Sequence, residues 1–220
     1  MSSNVSVGGG GEREIDALFA SYACGAVSRP LAALIESHLE LRPENRAFVA
    51  ALEGLGGEEI EQAPPRALSD ASSRLRAILD EAPDASEGGE SAVQARDEVL
   101  PAPLRDYLGH GLEGVRWRWL MPGLRECKLP EKGVSLLWAK AGSKMPSHTH
   151  EGVEVTLVIT GAFADATGRY GRGDIEIGDD SLDHQPIVDK DADCICFVVA
   201  EGSLHLTGPF GRWLDKLQRH

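Results

Sequence analysis

The stretch GSKMPSHTHEGVEVTLVITG, residues 142–161, decides the fold of the C-terminal half of the chain. His148 and His150 lie two positions apart, so both side chains point to the same face if the backbone is extended. Glu154 lies four positions beyond His150, at the start of an apolar run, and falls on that face as well. Two imidazoles and a carboxylate that converge from one strand edge predict a metal site.

A fourth ligand has to come from a distant part of the chain. His184, in the acidic turn GDDSLDHQP at residues 178–186, is our candidate. Three imidazoles and one carboxylate suit zinc, iron, manganese, nickel or copper, whereas magnesium and calcium prefer shells of oxygen atoms. We therefore predict that His148, His150, Glu154 and His184 bind one divalent metal. The alternative is a surface pair of histidines with an unrelated glutamate.

The sequence around this stretch is typical of short β-strands. After about Pro103, runs of β-branched, aromatic and leucine residues are separated by glycine, proline and aspartate. Closely spaced strands with no helices between them favour an antiparallel sandwich or barrel. The predicted strands are 115–120, 134–139, 153–159, 174–177, 194–199 and 204–207.

The first part of the chain has helical periodicity instead, because its apolar residues recur at spacings of three and four. We predict four short helices, the third of which begins at Pro43 and ends at Gly54, Gly56 and Gly57. The fourth begins at Ser69, and its apolar stripe consists of Leu75, Ile78 and Leu79. Helices this short bury little surface alone, so we expect part of their apolar surface to meet a partner.

Between these two parts, residues 82–98 are small, polar and acidic and include a glycine pair, which is linker composition. The sequence thus predicts an α + β protein of two domains. A short N-terminal helical bundle occupies residues 12–81 and a linker occupies residues 82–98. An antiparallel β-sandwich or barrel follows over residues 99–220.

The charge of the chain restricts its partners. The 220 residues include 22 basic and 35 acidic side chains, for a net charge of −13. Such a charge repels nucleic acid and anionic lipid, so we expect no direct binding to nucleic acid or membrane. Residues 1–95 hold seven basic and sixteen acidic side chains, which suits a basic protein partner. Because neither a membrane-spanning run nor a secretory signal is visible, we expect a cytoplasmic protein.

The histidine stretch resembles the first motif of the cupin superfamily. That motif consists of a glycine, five residues, HxH, three or four residues, a glutamate, six residues and a glycine, and every fixed position is present here. The resemblance implies that the β domain is a cupin, a small barrel with a metal inside. The second cupin motif supplies one more histidine, which the resemblance places at His184, although the flanking PxG and asparagine are not matched.

Most of the chain resembles anti-sigma factors of the ChrR type, which join a helical domain to one cupin. The resemblance implies that the helical domain binds an extracytoplasmic-function sigma factor and that the cupin senses oxidative stress. It also implies that the chain is a regulator and not an enzyme. The corresponding stretches are DALFASYACGAVS (16–28), SHLELRPENRA (37–47), HTHEGVEVTLVITGAF (148–163), YGRGDIEIGDDSLDH (170–184) and DADCICF (191–197).

One departure from that family concerns zinc in the helical domain. The family usually holds a structural zinc there through an early histidine, a histidine at the end of the second helix and a CxxC pair. Here His38 remains, but the cysteine positions read Arg42 and Asn45, and Arg13 stands near the early histidine. One ligand cannot hold zinc. We therefore expect no zinc in the helical domain, and His38 becomes a core or interface residue.

The expected cofactor is thus one divalent metal in the cupin, with zinc as the first choice and iron, manganese or nickel as alternatives. A cupin dioxygenase remains the alternative function, because a three-histidine, one-glutamate shell with an open position also binds oxygen or substrate. A sugar-binding or storage cupin, with no protein partner, is the third possibility. Binding of a sigma factor by residues 1–95 would support the regulator.

Overall fold

A computed structural model describes residues 11–80, 99–202 and 204–207 of the chain. The predicted linker at residues 82–98 lies outside the described residues, and the two-domain division therefore stays a prediction. The described part begins with helices and continues with β-strands, as the sequence predicts. Its α-helices are α1 (Gly11–Ala23), α2 (Arg29–Leu41), α3 (Arg46–Gln62), α4 (Ala71–Asp80) and α5 (Ala102–Leu108).

The β region folds into antiparallel sheets of the predicted sandwich or barrel type. A six-stranded sheet has the order β1-β2-β3-β10-β5-β8, a three-stranded sheet has the order β7-β6-β9, and β4 pairs with β11. The strands are β1 (Arg118–Met121), β2 (Leu124–Lys128), β3 (Val134–Ala139), β4 (His148–His150), β5 (Glu154–Thr160), β6 (Ala162–Ala164), β7 (Arg169–Gly171), β8 (Ile175–Gly178), β9 (Ile187–Val188), β10 (Cys194–Ala200) and β11 (Leu204–Leu206).

Strand alternation gives the six-stranded sheet two different apolar faces. On β5, Leu157 belongs to a core that the sheet shares with the helices, whereas Val158 belongs to the core between the two larger sheets. On β10, Phe197 and Val198 divide in the same way. The even-numbered positions of β5 therefore face the barrel interior, where the predicted metal ligands are needed.

The first two helices and α5 pack onto the outer face of this sheet. Leu34 and Ile35 of α2 are fully buried, and they share one core with Phe19 of α1 and Leu104 of α5. Burial of a leucine or isoleucine side chain stabilises the fold by about 1.5–3 kcal/mol. The helices α1 and α2 are thus fixed against the barrel by apolar packing.

The largest differences from the predicted boundaries concern the third helix and the first strand. The third α-helix follows a 3-10 turn at Pro43–Asn45 and continues through Gly54, Gly56 and Gly57 to Gln62. These glycines keep φ outside the left-handed region and have open space around them, so they cost helix stability without ending the helix. The first strand begins at Arg118 rather than at residue 115, because the amides of Val115 and Trp117 bond locally to the carbonyls of Leu112 and Val115.

Helix α4 differs from the other helices because every one of its residues is exposed. Leu75, Ile78 and Leu79 are 57%, 67% and 73% exposed, so the predicted apolar stripe has no cover among the described residues. The described helices include none that combines the length and the apolar character needed to span a bilayer.

Candidate metal centre

Two backbone features bring the predicted histidines together. His148 and His150 form the ends of β4, and alternation buries both side chains while Thr149 between them is less buried. His184 lies on the opposite side of a two-residue bridge, in which its amide and carbonyl exchange 3.0 Å hydrogen bonds with the backbone of His148. The HxH strand and the distant turn are thereby held edge to edge.

The three imidazole rings converge on one point. Nε2 of His184 lies 3.0 Å from Nε2 of His148 and 3.3 Å from Nε2 of His150. All three side chains are buried. Ligand atoms of the three residues lie within 4.8 Å of one another, a separation that one metal ion can bridge.

The opposite nitrogen of each ring faces an oxygen atom. His148 Nδ1 donates to the carbonyl oxygen of Pro146 at 2.9 Å, and His184 Nδ1 donates to the Asp165 carboxylate at 2.6 Å. His150 Nδ1 lies 3.4 Å from Oε2 of Glu154. Because a neutral imidazole carries one hydrogen, a ring that donates through Nδ1 presents a lone pair at Nε2.

The donor chemistry therefore fits a metal ion. Burial lowers the pKa of His148, and burial together with the neighbouring imidazoles lowers the pKa of His150 to about 4, so both rings are neutral at pH 7. Neutral imidazole is the form that binds metals. The converging lone pairs of His148 and His150 favour a cation between the rings, either a proton on His184 or a metal ion. Asp165 and a second buried carboxyl group, Glu176, lie beside His184 and favour a positive charge at this point.

Glu154 is the one predicted ligand that the structure leaves out of this triad. Its side chain turns toward Nδ1 of His150 and Oγ1 of Thr156, which lies 3.3 Å away. Burial raises the pKa of Glu154. The carboxyl lines the same interior cavity as His148 and His184. Three of the four predicted residues, His148, Glu154 and His184, thus line one cavity. His150 joins His148 and His184 in the cluster of converging nitrogens.

Sequence reasoning missed two buried carboxyl groups beside His184, namely Asp165 and Glu176. Nδ1 of His184 donates to Asp165, and Oε1 of Glu176 lies 3.3 Å from the same nitrogen. Burial raises the pKa of Glu176 to about 7, while hydrogen bonds from His184 and Thr167 hold the pKa of Asp165 well below its usual range despite its burial. Burial alone would lower the pKa of His184, but these carboxyl groups raise it to about 9.

The cavity beside the cluster is small, at about 40 Å³. Apolar residues such as Leu137 and Phe163 line it, together with Cys194 and Cys196, whose sulfur atoms lie 3.7 Å apart. Sites for small organic ligands commonly measure about 300–1,000 Å³. The cavity that the described residues form here therefore has room for an ion or a few waters beside the imidazoles.

Comparison with known proteins agrees with this geometry. The ChrR cupin-like domain family matches residues 110–204. The anti-sigma-E factor ChrR of Cereibacter sphaeroides is 40% identical over 205 residues, which cover 92% of this chain and 93% of that protein. The chain belongs to the ChrR family of anti-sigma factors. The predicted family and the predicted fold class are both confirmed.

Solved structures extend the comparison. The crystal structure of Rhodobacter sphaeroides SigE in complex with the anti-sigma ChrR matches with 41% identity and a TM-score of 0.71, over 84% of this chain and 96% of that chain. A putative acetylacetone dioxygenase from Methylibium petroleiphilum matches with 18% identity and a TM-score of 0.39, over 45% of this chain and 79% of that chain. The second likeness is too low to support an argument about activity.

His38, the one residue that matches the zinc ligands implied by the family resemblance, lies between the helices and the barrel. It is 4% exposed, and its Nδ1 donates to the carbonyl oxygen of Gly173 at 2.7 Å. Asn45 Nδ2 donates to its Nε2 at 2.8 Å, and Arg42 forms a 2.6 Å ion pair with Asp174. The prediction that His38 is a core or interface residue is confirmed. Arg42 and Asn45 belong to the same interface between the helices and the barrel, which we call the joint.

Proposed function

We propose that this chain is an anti-sigma factor that binds an extracytoplasmic-function sigma factor through its helical part. The observation that carries the proposal is the likeness to ChrR over almost the whole chain, including a ChrR solved in complex with a sigma factor. The barrel, in this proposal, modulates that binding in response to oxidative stress. A sigma factor acts on RNA polymerase, so the cytoplasm is the proposed location.

Exposed apolar surface on the helical part supports a protein partner. Besides the stripe on α4, Leu55 and Ile60 of α3 and Leu68 before α4 are more than 60% exposed. Apolar side chains that gather on such a surface commonly mark a protein interface. The same segment of α3 also contains Glu58, Glu59 and Glu61. Their negative charge complements the basic DNA-binding surface of a sigma factor.

For the barrel, we propose one divalent metal bound by His148, His150, His184 and Glu154. Zinc is our first choice because it accepts tetrahedral sets of imidazole and carboxylate, and iron, manganese and nickel are the alternatives. Helical residues 12–81 hold no zinc in this proposal. The metal would supply a charged centre for the barrel. Opening or oxidation of its ligand shell by a stress signal would change the stability of the barrel and so shift the balance between bound and released sigma factor.

The small interior cavity supports this regulatory function over a dioxygenase. An enzyme that oxidises a diketone or a thiol needs open space beside the metal for its substrate, and the cavity that the described residues form beside the imidazoles measures about 40 Å³. We therefore propose that the chain is a metal-binding regulator rather than an enzyme.

The test is binding of a sigma factor by the full chain with one residue of α4 changed. We expect Leu75→Asp to weaken binding at least tenfold, because a charge replaces an apolar contact, and to leave the metal content of the barrel unchanged. Trp119→Asp is the matched control, since Trp119 is also exposed, at 72%, but lies on β1 of the barrel. Extracytoplasmic-function sigma factors of the same organism are the probes, and binding is measured by titration calorimetry.

Equal binding by Leu75→Asp and the unchanged chain would rule out α4 as the contact surface. Binding of none of these sigma factors by the unchanged chain would overturn the proposed function.

A further inference from the structure

Asp165 is a buried charged group for which the proposed ligand set gives no purpose. It lies in the turn after β6, and its side chain is fully buried. Its carboxylate oxygen Oδ2 accepts the Nδ1 hydrogen of His184 at 2.6 Å. A charged hydrogen bond this short and this well shielded is among the stronger contacts that a histidine can make.

The carboxylate of Asp165 is itself held in place by its own turn. Oδ1 accepts hydrogen bonds from the Thr167 amide at 2.8 Å, the Thr167 hydroxyl at 2.6 Å and the Gly168 amide at 3.2 Å. These three donors occupy one oxygen and fix the plane of the group, so the other oxygen points at His184. The orientation of the carboxylate therefore does not depend on the histidine.

This contact decides which nitrogen of His184 faces the centre of the cluster. With the hydrogen fixed on Nδ1 by Asp165, a neutral His184 presents its lone pair at Nε2, beside the Nε2 atoms of His148 and His150. Metal-binding histidines commonly depend on such a carboxylate partner.

Glu176 does not fulfil the same role, although its carboxyl approaches the same nitrogen. Its Oε1 lies 3.3 Å from His184 Nδ1 but has no hydrogen-bond partner among the described residues. The Asp165 oxygen is closer to the nitrogen by 0.7 Å. The hydrogen of His184 therefore belongs to Asp165, and Glu176 is a natural control.

We propose that Asp165 is the positioning residue of the metal centre, which holds His184 in the tautomer and orientation that bind the ion. This inference rests on the proposed metal site and adds a residue outside its ligand set.

The decisive variant is Asp165→Asn, because the two side chains have the same shape. In the variant the amide oxygen has to stay with the backbone donors of Thr167 and Gly168, which leaves the NH2 group facing His184. An amide NH2 donates and cannot accept, so Nδ1 of His184 has to become the acceptor and the hydrogen moves to Nε2. A ring that carries its hydrogen on Nε2 cannot bind the ion there.

The experiment measures zinc affinity of the full chain by competition with a chromogenic chelator, and the Nδ1 hydrogen of His184 by proton NMR of the zinc-free protein. We expect Asp165→Asn to weaken zinc binding about tenfold or more and to remove the strongly downfield Nδ1 hydrogen signal. We expect Glu176→Gln to change the affinity by less than about threefold and to keep that signal.

An independent variant covers the case in which Asp165→Asn does not fold. Thr167 is exposed, and Thr167→Ala removes one of the donors that fix the carboxylate. We expect Thr167→Ala to lose less zinc affinity than Asp165→Asn and to shift the Nδ1 hydrogen signal of His184 upfield.

The outcomes separate this inference from the metal site on which it rests. Wild-type zinc affinity in Asp165→Asn and Thr167→Ala, with zinc lost in His148→Ala, would overturn the positioning role and leave the metal centre standing. Absence of zinc binding by the unchanged chain would overturn the metal centre itself.

Discussion

The two buried histidine sites of this chain use their ring nitrogens in opposite ways. At the joint between the helices and the barrel, both nitrogens of His38 are taken by protein groups, one by the Gly173 carbonyl and one by the Asn45 amide. In the barrel, the Nδ1 atoms of His148 and His184 bond to oxygen acceptors and leave their Nε2 atoms to meet. The first arrangement is a closed hydrogen-bond network, and the second is an open set of ligands.

The difference shows how polar groups can occupy both nitrogens of a buried histidine. In the helical part, the Asn45 amide bonds to His38 and the Arg42 guanidinium pairs with Asp174, at the two positions where the family resemblance leads us to expect cysteines. The contacts of Arg42 and His38 end on Asp174 and Gly173, just before β8, so the helices are fixed to the barrel. Polar contacts and the core around Leu34 thus hold the helices against the barrel.

The largest expected effect is on metal content. We predict that the unchanged chain and His38→Ala each hold one equivalent of metal, and that His148→Ala holds none after dialysis against a chelator. Removal of one of three converging imidazoles leaves too few ligands, whereas His38 has no free lone pair to offer. Elemental analysis by plasma mass spectrometry measures this. Two equivalents in the unchanged chain, with one lost in His38→Ala, would erase the contrast between the two sites.

A smaller effect is expected at the ion pair of the joint. We predict a coupling energy of about 1 kcal/mol between Arg42 and Asp174 in a double-mutant cycle of alanine variants, measured by urea unfolding. The pair between Arg169 and Asp189 has the same 2.6 Å separation but a more exposed arginine side chain, 63% against 31%. We expect this control pair to couple by less than about 0.5 kcal/mol. Equal coupling in both pairs would show that the joint is an ordinary surface contact.

The smallest predicted effect is a pH dependence. Burial lowers the pKa of His38 below its ordinary value of 6.5, in an environment that also includes the charges of Arg42, Glu44 and Asp174. The unfolded chain therefore takes up the proton first as the pH falls through about 6.5, so this contribution to stability is present at neutral pH and is lost below it.

His38→Gln keeps hydrogen-bonding groups at this position but cannot titrate. We expect its free energy of unfolding to fall less than that of the unchanged chain between pH 7.5 and about pH 5.5, by up to about 1 kcal/mol. Parallel pH profiles for the two proteins would contradict the prediction. The measurement is urea unfolding at each pH.

The sequence could predict the parts of the fold that depend on periodicity and on motif spacing. The HxH spacing placed His148 and His150 on one face, and the structure buries both. Asp165 was not predictable in the same way, because the segment Asp165–Gly168 has the composition of an ordinary turn. Its contact with His184 depends on tertiary packing that brings the end of β6 beside a distant loop.

Other differences have local physical reasons. Glycine ends a helix when a left-handed residue is required, and none of the three glycines of α3 takes that conformation. The alternation of β8 could have suggested Glu176 as an interior residue, since Ile175 and Ile177 flank it. A lone glutamate between apolar residues gave no indication of its partner.

The opposite orientation of successive residues on β5 and β10 allows separation-of-function variants to be designed one position apart. A substitution at Leu157 changes the surface on which the helices lie, while one at Val158 changes the packing of the barrel interior. Neighbouring substitutions of similar size on a single strand can therefore report independently on the contact with the helices and on the interior around the histidine cluster.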